Sequence, residues 1–380
     1  MSIQSEPFVI NIGPQHPSTH GVFRLRLVMD GEKIIDADMV MGYLHRSMEK
    51  LAEERTYTQN IPFTDRTDYL SAMTGNLAYV MAVEKLMGVE VPERALWLRM
   101  IMSELQRIAS HAMAVGIFAN DTGAWQTPVM HMFRDREKIL DLFEMACGAR
   151  LTLNYMRIGG VSRDIPPEWL PLARKLLKDL PKKFAEYEDL LLTNEIIVAR
   201  SRGVGVLTPD QAIAYSVSGP MLRGSGVAWD IRKANPYAAY DKVDFDIAVG
   251  TNGDVYDRFI VRMAEMRQSL RILEQALEMI PDGPVHARVG EGTVQPGGQW
   301  IAPLAYRPPV GEAYACIESP RGEIGYYIVS DGGPAPFRFH IRSPSFINLT
   351  PLKLMTVGST VADAVVILGS VDIVVGEVDR

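Results

Sequence analysis

Asp254-Val-Tyr-Asp-Arg-Phe259-Ile-Val-Arg-Met263-Ala-Glu-Met266-Arg-Gln-Ser-Leu270-Arg-Ile-Leu273-Glu-Gln-Ala-Leu277-Glu-Met-Ile280 carries the longest periodic signal in the chain. Its apolar residues recur every three or four positions, the spacing of one face of an α-helix. At 1.5 Å per residue such a helix is roughly 40 Å long. A helix of that length packs along a bundle or joins a coiled coil, and the segments around it favour the bundle. Pro92-Glu93 opens a second helix, with proline at the first helical position. Leu98, Ile101, Met102, Leu105, Ile108, Ala109 and Ala112 fall on one stripe of it. A third runs from about Arg134 past Ala146, and Gly159-Gly160 ends the segment that follows. A fourth begins near Pro167 and continues past Leu176 and Leu180, with a kink or break expected at Pro181.

Residues 42–280 therefore read as a helical bundle. Residues 1–41 read as a small β element: Phe23, Leu25 and Leu27 alternate with Arg24 and Arg26, and Asp30-Gly31 signals a hairpin turn. Residues 281–312 are rich in Gly and Pro and read as a linker. Residues 313–380 read as a C-terminal α/β segment. There Gly325–Ser330 and Phe337–Ile341 are strand-like around an Asp331-Gly332-Gly333 turn, and Val365–Leu368 is apolar enough to be buried. The fold class expected is α+β, mainly α: a helical bundle core flanked by N- and C-terminal β-containing segments.

The chain of 380 residues is 47% hydrophobic, enough for a large core. A net charge of -7 and a pI near 5.6 argue against a nucleic-acid partner. No uncharged run reaches the ~18 residues of a membrane span; the most apolar C-terminal stretch contains Asp363 and Asp372. The first ten residues show no basic region followed by an apolar run, so no signal peptide is expected. The expected location is the cytoplasm, or the cytoplasmic face of a membrane as a peripheral protein. Two cysteines, Cys147 and Cys316, are too few for a four-cysteine iron–sulfur or zinc site and read as small buried hydrophobes. No metal site and no phosphate-loop or dinucleotide motif is expected; Arg202-Gly-Val-Gly205 lacks a third glycine.

Three polar constellations are candidates for chemistry. Asn11-Ile-Gly-Pro-Gln-His16-Pro-Ser-Thr-His20-Gly21 places two histidines four residues apart in a proline-stiffened loop. It is either a proton-handling or ligand loop or a pair of surface turn histidines. A second runs from Gly42-Tyr-Leu-His-Arg46 through Glu49, Glu53 and Arg55 to Asp65-Arg-Thr-Asp-Tyr69. Its acidic residues could equally be a solvated helix face, and Tyr69 an amphipathic residue at the core edge. The third is Asn120-Asp121-Thr122-Gly123, where Asp121 could simply cap a turn.

These same residues resemble the 49-kDa subunit of respiratory complex I, also called the D subunit of NADH–quinone oxidoreductase. The resemblance includes Gly13–Gly21, Gly42–Arg46, Ser110-His111, Arg157-Ile-Gly-Gly-Val161, Ser218-Gly-Pro-Met-Leu-Arg223, Tyr326-Tyr-Ile-Val-Ser-Asp-Gly-Gly333, Ser345-Phe-Ile-Asn-Leu349 and Gly376-Glu-Val-Asp-Arg380. It covers essentially the whole chain. The family is similar to the large subunit of nickel–iron hydrogenases, so a hydrogenase-like fold is implied. Hydrogenases hold their metal with two cysteine pairs; at the corresponding places this chain reads Thr67-Asp-Tyr-Leu-Ser71 and Asp372-Ile-Val-Val-Gly-Glu377. Without soft thiolates that metal site cannot be built.

The resemblance implies that the vacated pocket takes a quinone headgroup, with His20 and Tyr69 as its hydrogen-bonding partners and Asp121 as the partner of His20. His16 is implied to support the loop. Arg66, followed by Asp68, is implied to lie near a four-iron four-sulfur cluster held by a neighbouring subunit, so the chain would bind no cofactor alone. The expected activity is that of a proton-pumping NADH:quinone oxidoreductase. The implied partners are the cluster-bearing B subunit, the C subunit and the membrane-arm H subunit. A complex fed by ferredoxin or another donor, and a structural scaffold with a decayed site, are the alternatives. Many family members carry a histidine at the position of Thr152, beside the cluster. Its absence predicts a cluster potential that varies less with pH than is usual, which a redox titration of the purified complex would check.

Overall fold

The computed structural model describes every residue except 1–5, 125–126, 291, 295–299, 302 and 304. The start of the N-terminal β element and parts of the 281–312 segment thus lie outside the described residues. About half of the chain is helical, mixed with small antiparallel sheets.

The N-terminal strands β1 (Phe8–Ile12), β2 (Arg24–Asp30) and β3 (Lys33–Val40) form a sheet in that order. Leu25, Leu27 and Met29 are buried while Arg26 and Asp30 are exposed, the two-residue alternation of a half-buried strand. Gly31 turns the β2–β3 hairpin at φ 59°, a left-handed conformation that costs glycine little. Five helices follow: α1 (Met48–Glu53), α2 (Tyr57–Thr67), α3 (Ala72–Met87), α4 (Glu93–Asp121) and α5 (Thr127–Cys147). A short hairpin, β4 (Met156–Arg157) and β5 (Gly160–Val161), precedes α6 (Trp169–Leu191). Short helices α7 (Glu195–Ser201), α8 (Pro209–Ala214), α9 (Pro220–Gly224) and α10 (Ile231–Ala234) lead to α11 (Val255–Met279).

After α11 come a two-stranded sheet of β6 (Thr293–Val294) and β7 (Trp300–Ile301), then β8 (Gly311–Ser319), β9 (Gly322–Ser330) and β10 (Arg338–Arg342). These last three form a sheet with β9 in the middle. The chain ends in α12 (Pro344–Leu349), α13 (Leu352–Thr356), α14 (Val361–Val371) and α15 (Val375–Asp379). One buried core joins residues from every part, among them Leu25, Leu105, Tyr306 and Ile367. Among the described residues no helix is long and apolar enough to cross a membrane.

Several local expectations are corrected. The longest helix is α4, with 29 residues, and not α11, with 25. α4 packs against α3, α5, α11 and α14, so polar residues between its stripe positions are buried as well and mask its length in the sequence. It reaches Asp121, which therefore ends a helix and does not cap a following turn. α5 begins at Thr127, seven residues before Arg134. α6 continues through Pro181. A proline inside a helix costs ~3 kcal/mol. Here buried Trp169, Leu176, Leu177, Leu180, Phe184 and Tyr187 extend the apolar stripe across it against α5 and α11, each contributing about 1.5–3 kcal/mol. Gly159-Gly160 turns the β4–β5 hairpin, and residues 192–254 hold only short helices. β8 begins at Gly311, inside the segment read as linker. Cys147 and Cys316 are half-buried, not fully buried.

Candidate functional site

The histidine loop is held by its own first histidine. The Ser18 amide donates to His16 Nδ1 at 3.2 Å, and the Thr19 hydroxyl lies 2.7 Å from the His16 carbonyl oxygen and 2.8 Å from that of Gly21. This tight turn delivers His20 in a left-handed conformation, φ 53°. His20 Nε2 then sits 2.6 Å from Oδ2 of Asp121, 101 residues away at the end of α4. Both side chains are largely buried, 12% and 9% exposed. A carboxylate in this position orients an imidazole ring and fixes which of its nitrogens faces the carboxylate.

The space for this pair depends on Gly369 in α14. A Cβ there would lie 2.8 Å from Asp121 Oδ2 and 3.5 Å from His20 Nε2. Gly21 is equally close to the C-terminal segment, where a Cβ would meet Val375 Cγ2 at 2.7 Å. The histidine loop therefore rests on the corner between α14 and α15.

Tyr69 reaches the same corner from the other side. A Cβ on Gly376 would lie 3.9 Å from Tyr69 Cε1, and 3.1 and 3.2 Å from the carbonyl oxygens of Thr67 and Arg66. The ring is 37% exposed, and among the described residues its hydroxyl has no hydrogen-bond partner. Burial of the phenol raises its pKa; Arg321 opposes this, and Asp68 and Asp372 add to it. Asp68 fixes the backbone on either side of Tyr69. Its Oδ1 accepts from the amides of Leu70 at 3.1 Å and Ser71 at 3.2 Å, at the entry to α3, where amide donors are free. Its Oδ2 accepts from Arg321 Nη1 at 2.7 Å.

Arg321, at the β8–β9 turn, belongs to none of the three constellations that stand out in the sequence. It is fully buried, also donates to the Asp372 carbonyl at 3.0 Å, and lies 3.4 Å from Asp372 Oδ1. Arg262 of α11 approaches Asp372 Oδ2 at 3.9 Å. Glu377, on α15, completes the group. One local signal points to its Asp372: an acidic residue inside the most apolar stretch of the chain.

The remaining candidates fall elsewhere. Arg66 is exposed and donates to the Pro62 carbonyl at 2.6 Å and Asp65 Oδ1 at 2.7 Å. Asp65 also accepts at 3.4 Å from Asn154, two residues beyond exposed Thr152. Beside Tyr69, an open cleft of about 420 Å³ is lined by Leu44, Met48, Phe63, Arg66, Gly376 and Arg380. Glu49 and Glu53 are not a solvated face. Glu49 accepts from the Ile341 amide at 2.9 Å and pairs with His340 at 3.0 Å, and Glu53 accepts from Arg338 at 2.9 Å. They clamp α1 to β10.

The fold and site describe a mixed helical and sheet protein with a carboxylate-held histidine and a tyrosine at one corner. Residues 121–380 match the model of the respiratory-chain NADH dehydrogenase 49 kDa subunit. The chain is 56% identical over 380 residues, all of both chains, to the NADH-quinone oxidoreductase D subunit of Dehalococcoides mccartyi strain 195. It is 55% identical to an NADH-quinone oxidoreductase D subunit of Roseiflexus sp. strain RS-1, over the whole of both chains. It is 51% identical to the D subunit of Clostridium beijerinckii, over 100% of this chain and 98% of that one. The chain belongs to the family of the NADH-quinone oxidoreductase D, or 49 kDa, subunit. His20 and Tyr69 precede the span of the family model but lie inside the full-length similarity.

Proposed function

We propose that this chain forms the quinone-reduction site of a proton-pumping NADH:quinone oxidoreductase, as a peripheral subunit on the cytoplasmic face of the membrane. The observation that carries the reading is the 2.6 Å His20–Asp121 contact, set at the same α14–α15 corner that Tyr69 touches. A further support is the meeting of the two segments that would hold metal-binding cysteines in a hydrogenase-like fold. Arg321 bridges Asp68 of one and Asp372 of the other.

Two-electron reduction of a quinone turns two carbonyl oxygens into hydroxyls and requires two protons. His20, held by Asp121, donates one, and the Tyr69 hydroxyl the other. Both also stabilise the negative charge that develops on the oxygens. A four-iron four-sulfur cluster held by the neighbouring B subunit would supply the two electrons, one at a time. We assign the cleft rimmed by Arg66 and Arg380 to the face toward that neighbour, with the C and H subunits as further partners. A complex fed by ferredoxin would use the same site, and a co-purifying flavin-bearing NADH-oxidising subunit separates the two. A scaffold with a decayed site does not need His20, Asp121 and Tyr69 together.

Tyr69→Phe is expected to lower quinone-reductase turnover by about 10²–10⁴-fold, the usual contribution of a positioned acid, while the complex assembles normally. Unchanged turnover refutes the role of Tyr69.

A further inference from the structure

We propose that the buried cluster behind Tyr69 holds one exchangeable proton, carried as the carboxylic acid of Glu377, and that this proton keeps the cluster neutral while Tyr69 acts as a proton donor. The second half rests on the quinone reading above; the first half does not.

The cluster contains three carboxyl groups, Asp68, Asp372 and Glu377, and two guanidinium groups, Arg321 and Arg262. All five are buried. Arginine stays charged in proteins. Asp68 is bound by Arg321 and by two backbone amides. Asp372 faces Arg321 at 3.4 Å and Arg262 at 3.9 Å. These two carboxylates therefore match the two cations.

Glu377 is left over. Among the described residues it has no cation within ion-pair distance. Its Oε2 accepts from the Ser345 hydroxyl, and from the Ser345 amide at 3.2 Å. Its Oε1 is buried with no partner. The charged or titratable groups facing it are Asp68 following α2, Arg321 at the β8–β9 turn and Tyr326 of β9, while α12 contributes the uncharged Ser345. A fully buried carboxylate with one bare oxygen and a like charge nearby is disfavoured against its neutral acid. Burial, with Asp68 beside it, pushes this carboxyl up to about 8 against the pull of Arg321.

With Glu377 neutral the cluster carries two negative and two positive charges. Loss of the proton adds one uncompensated negative charge to the group backing Tyr69. A nearby negative charge disfavours the phenolate, so Tyr69 gives up its proton less readily. Glu377 is thus a positioning residue that acts on Tyr69 through Asp68 and Arg321, the two groups that face both.

The test uses the assembled complex. Infrared difference spectra across neutral to alkaline pH should show a carboxylic-acid carbonyl band that shifts in heavy water and is missing in Glu377→Gln. Wild-type quinone reduction should fall along an alkaline limb that Glu377→Gln removes. Ser345→Ala removes a hydrogen bond that favours the carboxylate, so it should move the limb to higher pH. A band that persists in Glu377→Gln overturns the proton assignment. A band that disappears while the limb stays in place, or a limb moved to lower pH by Ser345→Ala, overturns the link to Tyr69. If Tyr69→Phe leaves turnover intact, the quinone reading fails, while the infrared band still decides where the proton sits.

Discussion

Two buried charge clusters in this molecule are built in different ways. One surrounds the middle of α4. There Glu104 lies 3.3 Å from Arg107 and 3.1 Å from Arg232, Asp230 lies 2.6 Å from Arg232, and Glu265 and Glu318 lie 2.7 and 2.8 Å from Arg223. Every carboxylate has an arginine within reach. Despite burial, Arg223 and His111 hold Glu265 well below the usual carboxylate range, and Arg232 and Arg223 hold Asp230 down at about 2. Glu318 shares Arg223 with Glu265 and Asp230; burial raises it. The other cluster backs Tyr69 and contains Glu377, which has a serine for a partner and no arginine. A paired buried charge ties elements together, whereas a carboxyl left without a cation is free to exchange a proton. The first cluster joins α4, α9, α10, α11 and β8 as structure. The second adjoins the residues read as the quinone site.

Substitutions in the two clusters should differ in the size of their effects. Glu265→Ala leaves Arg223 with less compensation and His111 without its 2.8 Å partner. Breaking a buried pair from one side costs about 3–5 kcal/mol, so chemical denaturation should show a loss of that order, or no folded chain. Glu377→Gln removes no ion pair and should leave a folded chain. If the two variants are equally destabilised, the distinction fails.

Gly369→Ala places a methyl 2.8 Å from Asp121 Oδ2. Overpacking of this kind costs about 1–3 kcal/mol and should separate His20 from Asp121. Quinone-reductase turnover is expected to fall more than stability does. Loss of stability with full turnover would detach that pair from the chemistry.

The last contrast concerns pH. The Glu377 carboxyl titrates at about 8 when folded, against an ordinary value of 4.5. Between those values the folded chain keeps a proton that the unfolded chain has released, so stability falls as pH rises through the interval. Glu377→Gln should remove this contribution and gain on wild type toward the alkaline end. Unfolding midpoints measured at both ends of the interval check the sign.

Much of this protein was legible in order along the chain. The threes and fours of α4 and α11, the alternation of β2 and the Asp30-Gly31 turn are local signals, and each element forms where they point. Their lengths were less legible: α4 hides its extent because neighbours cover it all round, and α6 runs through Pro181 because burial on both sides outweighs the missing amide. For the site, the motifs brought His20, Tyr69 and Asp121 into one family resemblance. Periodicity says nothing about which helix end meets which loop, so Asp121 still read equally well as a turn cap.

What the sequence by itself determined is the long helices α4, α6 and α11, the β2–β3 hairpin, and the residue types fit for proton transfer. What only the tertiary structure decided is their company. It brought His20 to Asp121 across 101 residues, and Arg321 to Asp68 across 253. It also left Glu377 facing a serine. Secondary structure follows from neighbours a few residues apart. The charge state of a buried carboxyl follows from distances of a few ångströms to groups that only packing brings near.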